Sequence, residues 1–431
     1  MATLMTRFLA IFAIGSLLLT VIAGSRAQEV TVTGTAPANG SKFDDWMKAF
    51  LVKHQIPGGA LAIVQDGKLV YSRGFGWADR DTKEPVQPDA LFRIASVSKP
   101  ITAVAILKLE EQGKLSRNDK VLDHLRYEPH FEPDGKFDER WKQVTIDHCL
   151  THRGGWDRDK SYDPMFQARR MSRSLGVALP ILPEHIIRFQ LGQPLDFDPG
   201  ERYAYSNFGF SLLGRIIEKV TGKQYEPYVC KEVLAPLGIE RAKIGGSLQH
   251  ERAEGEVCYY DVKNAEGTAV TGPGAGETKV PISYGTWRQE TLDAHGGWIA
   301  SAPDLARFAA AFDLLDDGTR TRGALLQAQT VKDMFAPRAP IRSATDMHQI
   351  VAHYGYGWLV KQETGADDRP GTVARHGGAL ACTASSLMHF PDGINLAVVF
   401  NLGQSADGKF LGRSIEGPLT ELVRQTFAKP K

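Results

Sequence analysis

The chain has 431 residues, 51 Lys and Arg against 50 Asp and Glu, a formal charge of +1, and 42% hydrophobic with 23% charged residues. That length can hold about two or three cores, and the composition excludes a disordered or fibrous chain. The near-even charge argues against nucleic acid or an anionic membrane as a partner.

The N-terminus comes first. Arg7 precedes apolar runs at 8–14 and 17–23, and Gly24-Ser25-Arg26-Ala27 follows with small residues at Ser25 and Ala27. The run falls short of the ~20 residues a membrane span needs and fits a secretory signal peptide over residues 1–27. Its removal takes away Arg7 and Arg26 and no acid, moving the charge from +1 to −1. A periplasmic or secreted protein is therefore expected. Residues 28–42 read as a flexible leader, whose sequon Asn39-Gly40-Ser41 matters only in a host that glycosylates. Export permits disulfides among Cys149, Cys230, Cys258 and Cys382; Cys230 with Cys258 is the first pair to consider, and Cys149 reads as a buried thiol.

Phe43, Trp46, Met47, Phe50 and Leu51 recur at helical spacing and predict an amphipathic helix. Segments 60–64 and 68–75 flank Asp66-Gly67, a strong hairpin signal. A strand-like 90–94 then leads into Ser96-Val97-Ser98-Lys99-Pro100, and a helix apolar nearly all round over 101–109 ends at Gly113. In a helix that starts near Ser96, Ser96 and Lys99 share a face. A serine hydroxyl is a poor nucleophile at neutral pH and needs a partner for its proton, which a desolvated lysine helps to provide. A helix N-terminus would also aim N–H groups at a developing oxyanion. Ser-x-x-Lys alone is a weak signal, and a serine capping an ordinary buried helix is the competing reading.

Between about 116 and 283, helical patterns with long loops take over. A helix over 144–152 enters through Thr145 and stops at Gly154-Gly155. His148 and His152 stand four apart in it, but no glutamate adjoins His148 and no further ligand cluster follows, which argues against a metal. Arg169, Arg170 and Arg173 read as a solvated helix face rather than an anion site. Pro199-Gly200 turns the chain toward Tyr205 and Asn207, just ahead of an apolar helix over 210–220 closed by Gly222. A tyrosine with a lysine beside it can serve as a base for serine, and an asparagine can bond a substrate carbonyl; Tyr-x-Asn alone equally fits a turn with a packed aromatic. Residues 267–285, rich in Gly and Pro, read as a long loop over a cleft.

Two His-Gly-Gly triplets follow. The one at His295 leads into Ser301-Ala302-Pro303-Asp304, a cap-like start for a helix over 305–315. The one at His376 leads into a strand over 379–390, a turn at Pro391-Asp392-Gly393 and a strand over 394–400. Glycines at a strand edge allow close backbone approach and leave N–H groups for an oxyanion, so His376 is expected in the cleft and His295 behind it. A last helix over 410–427 covers the sheet.

Ser96-x-x-Lys99, Tyr205-x-Asn207 and His376-x-Gly378, in this order and separation, resemble the motifs of the class C β-lactamase-related serine hydrolases. That group includes D-alanyl-D-alanine carboxypeptidases, D-aminopeptidases, family VIII esterases and class C β-lactamases. Framework pieces at 146–155, Pro199-Gly200, Leu213-Gly214 and 296–308 extend the resemblance from about Phe43 to the C-terminus. It implies an α/β, β-lactamase/transpeptidase-like fold: an antiparallel sheet flanked by helices from residues 43–115 and 290–431, with a mostly helical domain, 116–289, inserted. Ser96 would attack a carbonyl and form an acyl-enzyme. Lys99 and Tyr205 would share the proton work, with Tyr205 the base for attack and the donor to the leaving group. Asn207 would orient the acyl side chain, and the backbone N–H groups of Ser96 and Ala379 would make the oxyanion hole. The resemblance calls for no metal or organic cofactor and a small-molecule or short-peptide substrate, with oligomeric state open.

One departure bears on the substrate. Class C β-lactamases carry Lys-Thr-Gly where this chain has His376-Gly377-Gly378, which lacks the hydroxyl and is charged only when the histidine is protonated. Carboxylate recognition would suffer unless an arginine such as Arg375 or Arg342 takes over. Esters, amides or D-amino-acid peptides are therefore expected ahead of β-lactams. A penicillin-binding D-alanyl-D-alanine carboxypeptidase or β-lactamase, and a non-catalytic relative using the groove for binding, are the other readings.

Overall fold

The computed structural model of the chain describes residues 29–37, 40–315, 318–364 and 370–427. The expected signal peptide and Asn39 of the sequon lie outside the described residues. In chain order the framework is β1 (Val32–Thr35), α1 (Ser41–His54), β2 (Gly58–Gln65), β3 (Lys68–Asp79) and α2 (Ser98–Glu111). Then come α3 (Asn207–Thr221), α4 (Ala302–Ala310), β4 (Ala339–Arg342), β5 (Ile350–Tyr354) and β6 (Leu359–Thr364). β7 (Pro370–Leu380), β8 (Thr383–His389), β9 (Ile394–Phe400) and α5 (Gly412–Phe427) complete it.

These strands form a ten-stranded sheet in the order β1-β3-β2-β9-β8-β7-β6-β5-β4, with a short strand at Glu84–Pro85 on β3. Neighbours run antiparallel, as in β9 against β2 and β7 against β8. The expected hairpin is present: Asp66 and Gly67 both adopt positive φ, at 50° and 77°, the backbone a tight two-residue turn between twisted strands requires. β2, β8 and β9 are buried on both faces because each face has its own cover. Leu61, Ile63, Val398 and Phe400 meet α1 and α5 on one side. Ala60, Ala62, Ala397 and Val399 meet α2, α4 and the helical region on the other. α1 is amphipathic as predicted, burying Phe43, Met47, Phe50 and Leu51. α2 is buried nearly all round and lies at the centre of the second core.

Residues 116–289, expected to be mostly helical, are helices joined by long loops and short strands, and their Ile146, Leu150, Phe208 and Leu213 belong to the same core as α2. The sheet and the helical region thus share one apolar interior, with α2 as the common wall. The predicted loop over 267–285 contains a small hairpin, Glu266–Thr268 against Lys279–Pro281. Cys230 packs against the α2-side core and Cys258 belongs to the α1-side core, so the pair expected first for a disulfide stands on opposite sides; all four cysteines are free.

The predicted strand over 379–390 is in fact two. β7 carries the His-Gly-Gly triplet inside it, runs to Leu380, turns at Ala381-Cys382 and returns as β8. Glycine is a poor strand former, which hides this strand from local patterning. The glycine at 378 has a definite cause: a Cβ there would stand 2.2 Å from both Ile94 O and Ser385 Oγ. Ser385 Oγ donates to Ile94 O at 2.7 Å and Thr383 Oγ1 to Arg93 O at 2.6 Å, so the interior strand β8 grips the segment that enters α2. Gly378→Ala is expected to destabilise the protein by about 1–3 kcal/mol through overpacking. Urea unfolding checks this, and an unchanged midpoint would show that the strand yields without cost.

Candidate active site

Ser96 does not lie in α2 itself but in a single 3-10 turn, Ala95–Val97, just before it. Ala95 is forced into left-handed backbone, φ 46°, and Ser98 Oγ closes the turn by donating to Ala95 O at 2.7 Å. A left-handed alanine costs about 1 kcal/mol, which the buried surroundings of Ala95 hold in place. The segment is also held from the helical region, where buried Arg93 donates to Ser283 O at 2.7 Å and Gly246 O at 2.9 Å. Because residues three apart eclipse in a 3-10 turn, Ser96 and Lys99 still meet.

Lys99 is completely buried, and its Nζ has three neighbours. They are Ser96 Oγ at 3.2 Å, Asn207 Oδ1 at 2.8 Å and the carbonyl of His295 at 2.8 Å. None of the three is a carboxylate. Burial therefore holds the amine well below the ordinary lysine range, with Asp163 nearby pulling it partly back up. Tyr205 donates to Ser96 Oγ at 2.7 Å, and burial pushes its phenol above the usual tyrosine range. The Lys99 amine lies 4.8 Å from the centre of the Tyr205 ring, and the Arg158 guanidinium 4.7 Å. Tyr205, 109 residues further along the chain, thus converges with Ser96 and Lys99 as expected.

Asn207 is the first residue of α3, which is capped by Ser206 accepting from Gly209 N; the helix starts three residues before the predicted 210. Its two polar ends are both used: Oδ1 accepts from Lys99, and Nδ2 donates to Asp163 Oδ2 at 2.6 Å. Asp163 and Arg158 are the site residues that sequence reasoning missed. Asp163-Pro164 does read as a helix cap, and Asp163 accepts from Met165 N in that role, but nothing local indicates where its second oxygen points.

The two His-Gly-Gly triplets divide differently from expectation. His295, predicted behind the cleft, lines the Ser96 pocket together with Gly296. His376 lies beyond Tyr205, 6.4 Å ring to ring, with Nε2 2.9 Å from the Tyr354 hydroxyl. Burial first, and then the charge of Lys99, pull its pKa down to about 3, so it is a neutral imidazole. Neither proposed replacement for the missing cation is in the pocket. Arg375 neighbours His376 on the strand and so points to the opposite face, where it pairs with Glu363 at 2.7 Å. Arg342 ends β4, at the far edge of the sheet, and donates to Met347 O. The arginine that does line the Ser96 pocket is Arg158. His152 falls outside the helix Ile146–Leu150 that carries His148 and packs 4.4 Å from the Tyr205 ring, which separates the two histidines considered for a metal. Among the described residues no cluster of three or more His, Cys, Asp or Glu is arranged to hold a metal ion.

Ser96, Asn207, Gly296 and Ala379 face one pocket of about 400 Å³ between the end of β7 and the helical region. The sequence profile described as Beta-lactamase matches residues 43–415. "Protein flp" of Staphylococcus aureus (strain COL) is 32% identical over 187 residues, 43% of this chain and 34% of that protein. "Penicillin-binding protein 4*" of Bacillus subtilis (strain 168) is 34% identical over 347 residues, 79% of this chain and 66% of that protein. The chain therefore spans about a third of the staphylococcal protein's length and just under two thirds of the other's. The solved structure titled "EstCE1, a hydrolase with promiscuous acyltransferase activity" superposes with TM-score 0.65 at 20% identity, over 91% of this chain and 98% of that one, and so shares the fold. A profile match that begins in the first amphipathic helix and ends in the last makes the chain a member of the Beta-lactamase family.

Proposed function

We propose that the protein is an exported hydrolase that acts through a Ser96 acyl-enzyme on esters, amides or D-amino-acid peptides. The observation that carries this reading is the surroundings of Lys99 Nζ. A neutral amine has two N–H donors and one lone pair. Asn207 Oδ1 and His295 O take the two donors, which leaves the lone pair for the Ser96 hydroxyl.

The proton roles follow from the opposite pKa shifts. Lys99, held low, accepts the Ser96 proton as Oγ attacks the carbonyl carbon. Tyr205, held high, stays a phenol and acts as the acid, giving its proton to the leaving group and regaining one from Lys99. This reverses the expectation that Tyr205 is the base for attack, because burial disfavours a phenolate. Backbone N–H groups of Ser96 and Ala379 receive the oxyanion, each worth about 3 kcal/mol. Water, activated by the same pair, releases the acyl group. Asn207 acts first as the orienter of Lys99, itself oriented by Asp163. Export rests on the apolar leader and cleavage-site pattern of residues 1–27.

A second reading, a penicillin-binding peptidase that acylates and releases slowly, draws on the name of the Bacillus relative and on Arg158, a cation in the Ser96 pocket. Intact mass and product release over a panel of p-nitrophenyl esters, D-amino-acid amides and β-lactams separate the two. Steady ester or amide turnover, lowered ~10³-fold or more in Ser96→Ala, is expected. Equal rates in the two proteins would refute the assignment, and a lasting β-lactam adduct without turnover would favour the second reading.

The pH profile tests the proton roles. Activity should be lost as pH falls through the lowered Lys99 pKa, and His376, neutral down to about 3, should contribute nothing to that limb. Asp163→Asn removes a charge that raises the Lys99 pKa, so its acid limb should move to lower pH. An unmoved limb would separate Asp163 from the proton network.

A further inference from the structure

A second cavity, of about 560 Å³, adjoins the Ser96 pocket, and Phe166 and Trp287 are walls common to both. Its apolar surface comes from Met165, Ile181, Ile186, Val270 and Ile282. Four arginines also line it, Arg169, Arg170, Arg173 and Arg288, with no aspartate or glutamate among the lining residues. The first three lie on the helix Ala168–Leu175, whose expected solvated face, with Arg169 and Arg173 exposed, also borders the cavity.

Two of these arginines are already engaged. Arg170 stands 3.4 Å from Glu132 and lies over the Tyr162 ring at 4.8 Å, and Arg288 stands 3.7 Å from Glu290. Arg169 and Arg173 are exposed and have no ion pair among the described residues; the contact of Arg169 is a 3.4 Å hydrogen bond to Thr268 Oγ1. They stand at i and i+4, where like charges on one helix face repel. An anion between them would relieve that repulsion.

We infer that this cavity is the subsite for the acyl part of the substrate, and that the acyl chain it selects has an apolar body ending in a carboxylate. The inference rests on the hydrolase reading above. The side follows from the walls. Tyr205, the donor to the leaving group, lines neither cavity, whereas Asn207 and Asp163 line the Ser96 pocket and Phe166 continues from it into the second. The leaving group therefore departs on the Tyr205 side and the acyl chain extends past Phe166. The end group follows from the arginines, whose planar forks match a carboxylate. The apolar wall accepts the methylenes between.

Matched p-nitrophenyl esters test this, each pair having the same chain length, one with a methyl end and the other with a free terminal carboxylate. At the best length the mature protein should prefer the carboxylate by about tenfold in kcat/KM, the order that two partly exposed charge contacts supply. The preference should shrink with added salt. In the double variant Arg169→Gln, Arg173→Gln it should vanish, chiefly through KM, while methyl-ended esters turn over at the original rate. Lysine at both positions should restore part of it. An undiminished preference in the glutamine variant, equal losses on both series, or a preference for methyl ends at every length would each overturn the subsite. No turnover of any ester by the unaltered protein would overturn the hydrolase reading itself and the subsite with it.

Discussion

Everything at the site depends on a lysine amine sealed from water without a carboxylate beside it. An ammonium there would lose hydration that two carbonyl oxygens and a hydroxyl replace only in part, and that imbalance favours the neutral amine of Lys99. The same burial acts with opposite sign on Tyr205, because in tyrosine the charged form is the deprotonated one. One apolar environment thus separates an acid from a base around a single oxygen, and neither needs an ionised partner in contact.

The scaffold is arranged to keep that environment closed and that oxygen in place. α2 supplies the lysine, completely buried, from its first turn. The interior strand β8 holds the approach to the serine through Ser385 and Thr383, and the helical region holds it through Arg93. With both sides fixed, the left-handed turn at Ala95 survives and aims Ser96 into the groove. α3 brings Asn207 and, two residues before it, Tyr205 from the opposite side of the groove. Contact between the two regions is therefore what completes the catalytic network, not an ornament to it.

The third motif gives the site its individual character. A neutral His376 bonded to Tyr354 sits beyond Tyr205 and adds no charge there, and the strand's alternation sends Arg375 to the other face. Positive charge comes instead from the helical region: Arg158 at Ser96, and Arg169 and Arg173 around the adjoining cavity. Anion recognition, if moved there, lies farther from the reacting carbonyl and reads a more distant part of the substrate.

The meeting of Ser96, Lys99 and Tyr205 was expected from the family resemblance, whereas local pattern and spacing determined the helix at Phe43, the Asp66-Gly67 hairpin, the buried helix after Ser96 and the cap at Ser301. These are features of periodicity, turn chemistry or short motif, which neighbours along the chain encode. The strand through His376-Gly377-Gly378 was not legible, because its glycines are selected by the close approach of Ile94 and Ser385 rather than by strand propensity. Asp163, Arg158, the carbonyl of His295 and the failure of Arg375 to reach the groove were equally hidden. Each depends on where a side chain or backbone oxygen from one segment ends up against another, and only the packing of the helical region on the sheet decides that.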